Sequence, residues 1–251
     1  MVLLKKEIKA DRWKLIISFI LLFILAIAIN WQFPYVKGLL EKGILEGMPR
    51  WMVEGAEDQR NFSVYIAANW YDKNLIQISV LLSILLGMSV FAREVENHTI
   101  EFLLSRPLSR KRLFLEKTLY HLLMILFIIT INTAILGITA TVMNYSINFS
   151  RLFIGITPVF GKCFIVYSTA LLLSLFFDDQ VQSGIFTLVG VLIVWSTSFI
   201  EVLDFINIFS YAGVTPYYIQ GIFSIMDLVI IYFIGLLIYG ISYYRFKIRD
   251  F

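Results

Sequence analysis

An all-α integral membrane protein with six spans is the fold class this sequence predicts, and three observations predict it. Of its 251 residues 59% are hydrophobic and only 16% are charged, whereas a soluble domain is about a quarter charged. The mean hydropathy is +0.80. Apolar runs of roughly 20 residues, the length that crosses a bilayer core, recur along the chain. The single Cys163 excludes an internal disulfide and any cysteine metal cluster, and two histidines, His98 and His121, offer little material for a metal site.

The elements follow in order. The leader 1–14, "MVLLKKEIKADRWK", interleaves Val2, Leu3, Leu4, Ile8 and Trp13 with Lys5, Lys6, Lys9 and Arg12. That pattern favours a short helix lying on the membrane surface over a disordered basic tail. No small-residue cleavage site follows the apolar run, so the first span, about 13–32, is expected to be uncleaved. The other spans are expected at about 75–92, 119–143, 157–177, 183–200 and 225–244. Between the first two lies 33–73, with no long apolar run. Its Trp51, Tyr65, Trp70 and Tyr71 suit a membrane interface, so an extracellular loop with one or two surface helices is expected there.

Charge sets the orientation. Fourteen of the 21 Lys and Arg residues fall in the leader, in 91–117 and in the tail after Tyr244. The positive-inside rule then puts both termini and the 93–117 loop in the cytoplasm. The short turn "FDDQVQS", Phe177 to Ser183, falls on the same side by parity, although it carries no basic residue.

Catalytic and energy-converting motifs are missing from the sequence. There is no H-E-x-x-H, no G-x-S-x-G and no metal-spaced cluster of His and acids. "PVFGKC" contains Gly161–Lys162, but Gly155 is one position too far upstream for a phosphate loop and Cys163 stands where Ser or Thr is needed. No nucleotide site and no bound cofactor are therefore expected on this chain, and nucleic acid is not an expected partner. The spans are poor in buried carboxylates; Asp227 is the nearest candidate, with Lys162 near the start of the fourth span. A membrane-embedded enzyme or a self-sufficient secondary carrier needs more than that, and both stay as alternatives.

The stretch "FAREVENHTIEFLLSRPLSRKRLFLEK", Phe91 to Lys117, carries six basic and four acidic residues around an apolar "IEFLL". Pro107 disfavours helix at Arg106, so one helix is expected from about Glu94 to Leu104 and another from about Ser109. In the first, Ile100, Leu103 and Leu104 share one side, and Glu94, Asn97, His98 and Glu101 can face away. A plain positive-inside loop would need the bases only, not the acids or the apolar triplet.

Here the sequence resembles the membrane subunit of ABC-2 type transporters. That family has an acid soon after the second span, a small residue followed by Thr, a Leu-Leu pair, Pro-x-Ser-Arg, and a Lys entering the third span. The matching positions are Glu94, His98–Thr99, Leu103–Leu104, "PLSR" from Pro107 to Arg110, and Lys117; His98 stands where Gly is usual. The resemblance implies a non-catalytic subunit of a bacterial cytoplasmic-membrane exporter. It implies pairing with a second permease copy, identical or related, and with two copies of a separate ABC ATPase that bind ATP and Mg. It makes the segment after the second span a coupling helix, with Glu94, Asn97, His98, Thr99, Glu101 and Arg106 facing the ATPase. Ile100, Leu103 and Leu104 would anchor it to the spans. Asp178, Asp179 and Gln180 would give a second contact, and the leader would be an amphipathic elbow. The compact chain resembles the small peptide and drug exporters, with an amphipathic peptide, antibiotic or lipid-like cargo.

Overall fold

The computed structural model describes residues 2–42, 57–101, 109–222 and 224–249. Among the described residues six helical segments are long and apolar enough to cross a membrane: Lys6–Glu41, Phe62–Glu96, Arg110–Val142, Phe149–Leu173, Gln180–Phe199 and Ile225–Ile248. No strand occurs among the described residues. In lipid this follows from backbone chemistry, since a helix satisfies its own N–H and C=O groups without water.

The starts of these helices are set by side-chain caps. Ser109 accepts the backbone N–H of Arg112 ahead of the third span, and Ser224 accepts that of Asp227 ahead of the sixth. Asp179 caps the fifth span by accepting from Val181 and Gln182. The sixth span ends with Arg245 and Lys247 in its last turn, where cations favour the helix dipole.

The second and fourth spans form the centre of the bundle, each with 72% of its apolar window buried, against 17% for the sixth. Their close approach depends on Gly87. A Cβ placed there would lie 2.6 Å from Ala170 Cβ and 2.8 Å from the Tyr167 carbonyl oxygen. Small residues let membrane helices touch backbone to backbone, where dispersion rather than water exclusion holds them. Gly87→Val is accordingly expected to destabilise the bundle by about 1–3 kcal/mol through overpacking. A clear drop in the unfolding temperature of the purified protein checks this, and an unchanged temperature contradicts it.

Hydrogen bonds across the bundle supplement this packing. Asn30 of the first span donates to the Leu136 carbonyl (2.9 Å) and to Thr139 Oγ1 (2.6 Å) in the third. Trp70 Nε1 donates to Thr133 Oγ1 at 3.1 Å.

Two expectations are corrected here. The leader is not a separate surface helix: Val2–Glu41 is one unbroken helix of 40 residues. Its Glu7, Asp11 and Ser18 point into the bundle, while Ile8, Trp13, Ile16, Ile17 and Ile20 face outward. The side with the acids is thus the inner side, because the bundle supplies cations to meet them.

Nor is 33–73 simply a loop. Residues 33–41 continue the first helix, and the second rod begins at Phe62, runs through a nine-residue π-helical stretch, Ala67–Leu75, and continues to Gly87. The wider turn lets Tyr65, Trp70 and Tyr71 all enter the core, where they are 0–3% exposed rather than interfacial. The turn also leaves Asp72 free to cap a distant helix, Val214–Gln220, by accepting from the N–H groups of Val214 (3.2 Å) and Thr215 (2.8 Å).

Both described ends of the chain lie at one end of the bundle. Lys6 pairs with Glu94, Arg110 Nη1 donates to the carbonyls of Lys247 (3.0 Å) and Arg249 (2.9 Å), and Arg249 pairs with Asp178. The turn around Asp178, the segment after the second span and the tail are therefore neighbours.

Candidate functional site

At this end a buried network of charges joins the first helix, the second rod and the third span. Glu94 sits at its centre. Its Oε1 accepts from Lys117 Nζ at 2.9 Å and its Oε2 from Lys6 Nζ at 2.7 Å, and Thr99 Oγ1 also donates to it. Lys117 Nζ further donates to the Val90 carbonyl at 2.8 Å and lies 3.2 Å from Glu7 Oε1. Arg93 spans two acids of the leader, with Nη2 at 2.8 Å from Glu7 and Nη1 at 3.1 Å from Asp11. Asp11 meets His121 Nε2 at 2.9 Å and Lys14 Nζ at 3.2 Å. His121 Nδ1 lies 3.2 Å from the Tyr167 hydroxyl of the fourth span.

Three acids, Glu7, Asp11 and Glu94, face four cations: Lys14, Arg93 and Lys117, and Lys6 on Glu94 at the exposed rim. Assigning the His121 proton to Nε2, the nitrogen that faces a carboxylate, leaves Nδ1 to accept from Tyr167 and keeps the ring neutral. Glu7, Asp11 and His121 place three donor atoms within 4.8 Å of one another, the spacing of a metal trio. Those carboxylates are already engaged by Arg93, Lys14 and Lys117, so the trio is an ion-pair cluster rather than a metal site.

Beneath the network lies an aromatic floor. Phe91 stacks on Phe246 with centroids 4.4 Å apart and on Phe114 at 5.9 Å, and Lys117 Nζ sits 5.6 Å from the centre of the Phe91 ring. The start of the segment is thereby packed on the third and sixth spans as well as ion-paired to the first.

The segment then turns sharply. Helix Ala92–Glu96 closes with Thr99 N–H on the Glu94 carbonyl and His98 N–H on that of Val95, both at 2.9 Å. This is the paired hydrogen-bond pattern of a helix stop with a left-handed residue, and His98 is that residue, at φ 54°. The position favours glycine because a Cβ is strained there. His98→Gly is expected to stabilise the protein by up to about 1 kcal/mol, and a lowered unfolding temperature contradicts the assignment.

At the other end of the bundle a cavity of about 960 Å³ opens between the second, fourth and fifth spans. Val80, Ile84, Val159 and Leu192 are among its walls, with Asp72, Lys73 and Lys162 as its charged lining groups. Tyr71 beside it is sealed off by its bond to the Leu152 carbonyl and by Tyr218, whose phenol burial pushes up to about 12 and so keeps neutral.

A family model described as ABC-2 family transporter protein matches residues 1–251. The chain belongs to the ABC-2 transporter family. It is a multi-pass membrane protein and the membrane-spanning component of an ABC transporter. A search of the curated proteins found no match.

In this ABC-2 subunit the residues of the segment after the second span do not all lie as expected. Glu94 does not face away from the membrane helices: it is 1% exposed, because Lys117 and Lys6 draw it inward. Thr99 is half-buried, its hydroxyl turned onto Glu94. Asn97, His98 and Glu101 are exposed, and Ile100 is buried in the core. The expected single helix from Glu94 is broken at His98. Leu103, Leu104 and Arg106 lie outside the described residues. Asp178 is exposed and pairs with Arg249. Asp179 caps the fifth span, and the Gln180 N–H donates to Glu96 at 3.4 Å.

Sequence reasoning missed Glu7, Asp11, Arg93 and His121 as one cluster. A signal was present: Glu7, Asp11 and Lys14 share a helix face at i, i+4 and i+7, and Lys117 and His121 are four apart on theirs.

Proposed function

We propose that this ABC-2 subunit is the permease half of an ATP-driven exporter, paired with a second permease copy and driven by two copies of a separate ABC ATPase. ATP and Mg bind on that partner. The basic end, with both termini, faces the cytoplasm by the positive-inside rule. The motor docks on the exposed ridge of Glu96, Asn97, His98 and Glu101, with Asp178 beside it. Arg106, Leu103 and Leu104 extend the same segment and carry the remaining contact and anchor roles. Cargo is an amphipathic peptide, an antibiotic or a lipid-like molecule.

One observation carries this reading: the segment that would meet the motor, itself the end of the second rod, is joined at its root to two other spans through ion pairs. Glu94 ties it to the first and third, and Arg93 ties it again to the first. ATP-driven closure pushes on the ridge, and a rigidly rooted segment passes the displacement to those spans as a unit. A two-state assembly then switches, since packed interfaces rearrange in discrete steps. The carrier alternative is weaker, because the buried acids lie at this end of the bundle rather than at mid-membrane, where an ion-driven carrier needs them.

The test is affinity purification of the tagged chain from its native membrane in mild detergent. The wild-type chain is expected to bring down an ABC ATPase and MgATP hydrolysis. Asn97→Ala with Glu101→Arg is expected to reduce the co-purified motor at least about tenfold, the loss of a contact hot spot, at an unchanged unfolding temperature. Absence of any ATPase, or full retention by the variant, rejects the docking surface.

A further inference from the structure

Of the two lysines buried among the described residues, Lys117 has carboxylate partners and Lys162 has none. Lys162 is 4% exposed, and its one hydrogen bond runs to the Phe209 carbonyl at 3.0 Å. An ammonium carries three donors, so two find no acceptor among the described residues. The nearby acids are committed elsewhere: Asp72 accepts from Val214 and Thr215, and Asp227 from the Ala212 N–H at 3.2 Å. Asp72 and Asp227 act on the ammonium through space without forming an ion pair with it, and a buried charge without a hydrogen-bonded counter-ion is costly, more so at membrane depth.

Lys162 lines the cavity of about 960 Å³. That volume is at the upper end of the small-molecule range of roughly 300–1,000 Å³ and suits one chain-like ligand rather than a folded peptide. The rim residues Leu81, Leu188, Leu192 and Trp195 are 41–52% exposed and belong to spans, so the mouth opens on the flank of the bundle, where lipid is the solvent. The geometry points to a binding site for a single-chain amphiphile with an anionic headgroup, its carboxylate or phosphate on Lys162 and its hydrocarbon along the cavity walls. Entry is sideways from the bilayer. The ammonium gains the charge-assisted partner it lacks, and the chain stays in apolar surroundings throughout. That this ligand is cargo rests on the exporter reading above; that it binds does not.

The test uses the full chain in phosphatidylcholine nanodiscs and follows quenching of Trp195 fluorescence, isolated by difference from Trp195→Phe. Three brominated probes of equal chain length are compared: a fatty acid, an alkyl phosphate and a fatty alcohol. At least one anionic probe is expected to quench saturably at a concentration about tenfold or more below the alcohol, the scale of a hydrogen bond to a charged group. The acid and phosphate arms identify the headgroup. Lys162→Gln, which keeps a donor for Phe209, is expected to erase the preference, and Lys162→Arg to keep it. Val80→Phe, which fills the cavity and leaves Lys162 intact, is expected to weaken all three probes. Equal binding of alcohol and anions, or an unchanged preference in Lys162→Gln, overturns the site. If Lys162→Gln does not fold, the arginine and Val80→Phe variants decide. Selective quenching without a co-purifying ATPase keeps the site and sinks the exporter reading, and ATPase activity without selective quenching does the reverse.

Discussion

Replacing Glu94 by Ala is expected to destabilise the protein by about 3–5 kcal/mol, the usual effect of removing one partner from a buried ion pair. A surface contact residue would instead change stability by less than about 0.5 kcal/mol. The difference arises because Lys117, fully buried, would keep only its bond to the Val90 carbonyl and its looser approach to Glu7. Lys117→Met alone should cost a similar amount, since it strands Glu94 with Lys6 at the rim. The double variant Glu94→Leu with Lys117→Met removes both charges at once, and buried pairs exchanged for apolar groups are often neutral or better. Its unfolding temperature is therefore expected to lie above that of either single variant. A double-mutant cycle on the purified chain measures this. If Glu94→Ala unfolds with the wild type, the carboxylate does not root the segment, and transmission from the motor must follow another path. The double variant also separates stability from coupling: it should fold yet transmit ATP hydrolysis to transport poorly, because the ionic link to the leader through Lys6 is gone.

The fold was legible wherever one residue type dominated a long window. Six apolar runs could only be spans, and the alternation of basic residues paired both termini with the 93–117 segment, as the contacts of Arg110 and Lys6 bear out. What escaped reading was polar sequence that folds inward. "AANWYDKN" has the composition of a loop, and its π-helical course depends on Trp70 reaching Thr133 and Asp72 reaching Thr215, partners 63 and 143 residues away. Glu94 was read outward because a carboxylate on a short amphipathic helix usually is. Lys117 reverses that, and nothing local to Glu94 announces a lysine 23 residues on. His98 is the counter-example. Its place in a position where glycine is usual was visible in the sequence, and the left-handed φ of 54° gives the physical reason.

Removing residues 2–12 is expected to abolish the folded protein, although an elbow resting on the membrane surface could be lost with little effect on the bundle. The deletion takes Glu7 and Asp11 together and leaves the cations Arg93, Lys14 and Lys117 facing one another, beside a neutral His121 that has lost its carboxylate. Like charges at such range disfavour each other strongly away from water, and the only carboxylate left among them is Glu94. Asp11→Ala is the milder form. It should cost about 3–5 kcal/mol by stranding the Arg93 Nη1 and Lys14 contacts, and it also releases His121 from the carboxylate that fixes its tautomer. Asp11→Asn keeps an oxygen for Arg93 and should fall between Ala and wild type. Detergent-solubilised yield and unfolding temperature rank the three variants. The order wild type, Asn, Ala, deletion supports an inward-facing leader built into the bundle. A deletion variant as stable as the full chain would return the leader to the membrane surface and leave the ion pairs of Glu7 and Asp11 without physical consequence.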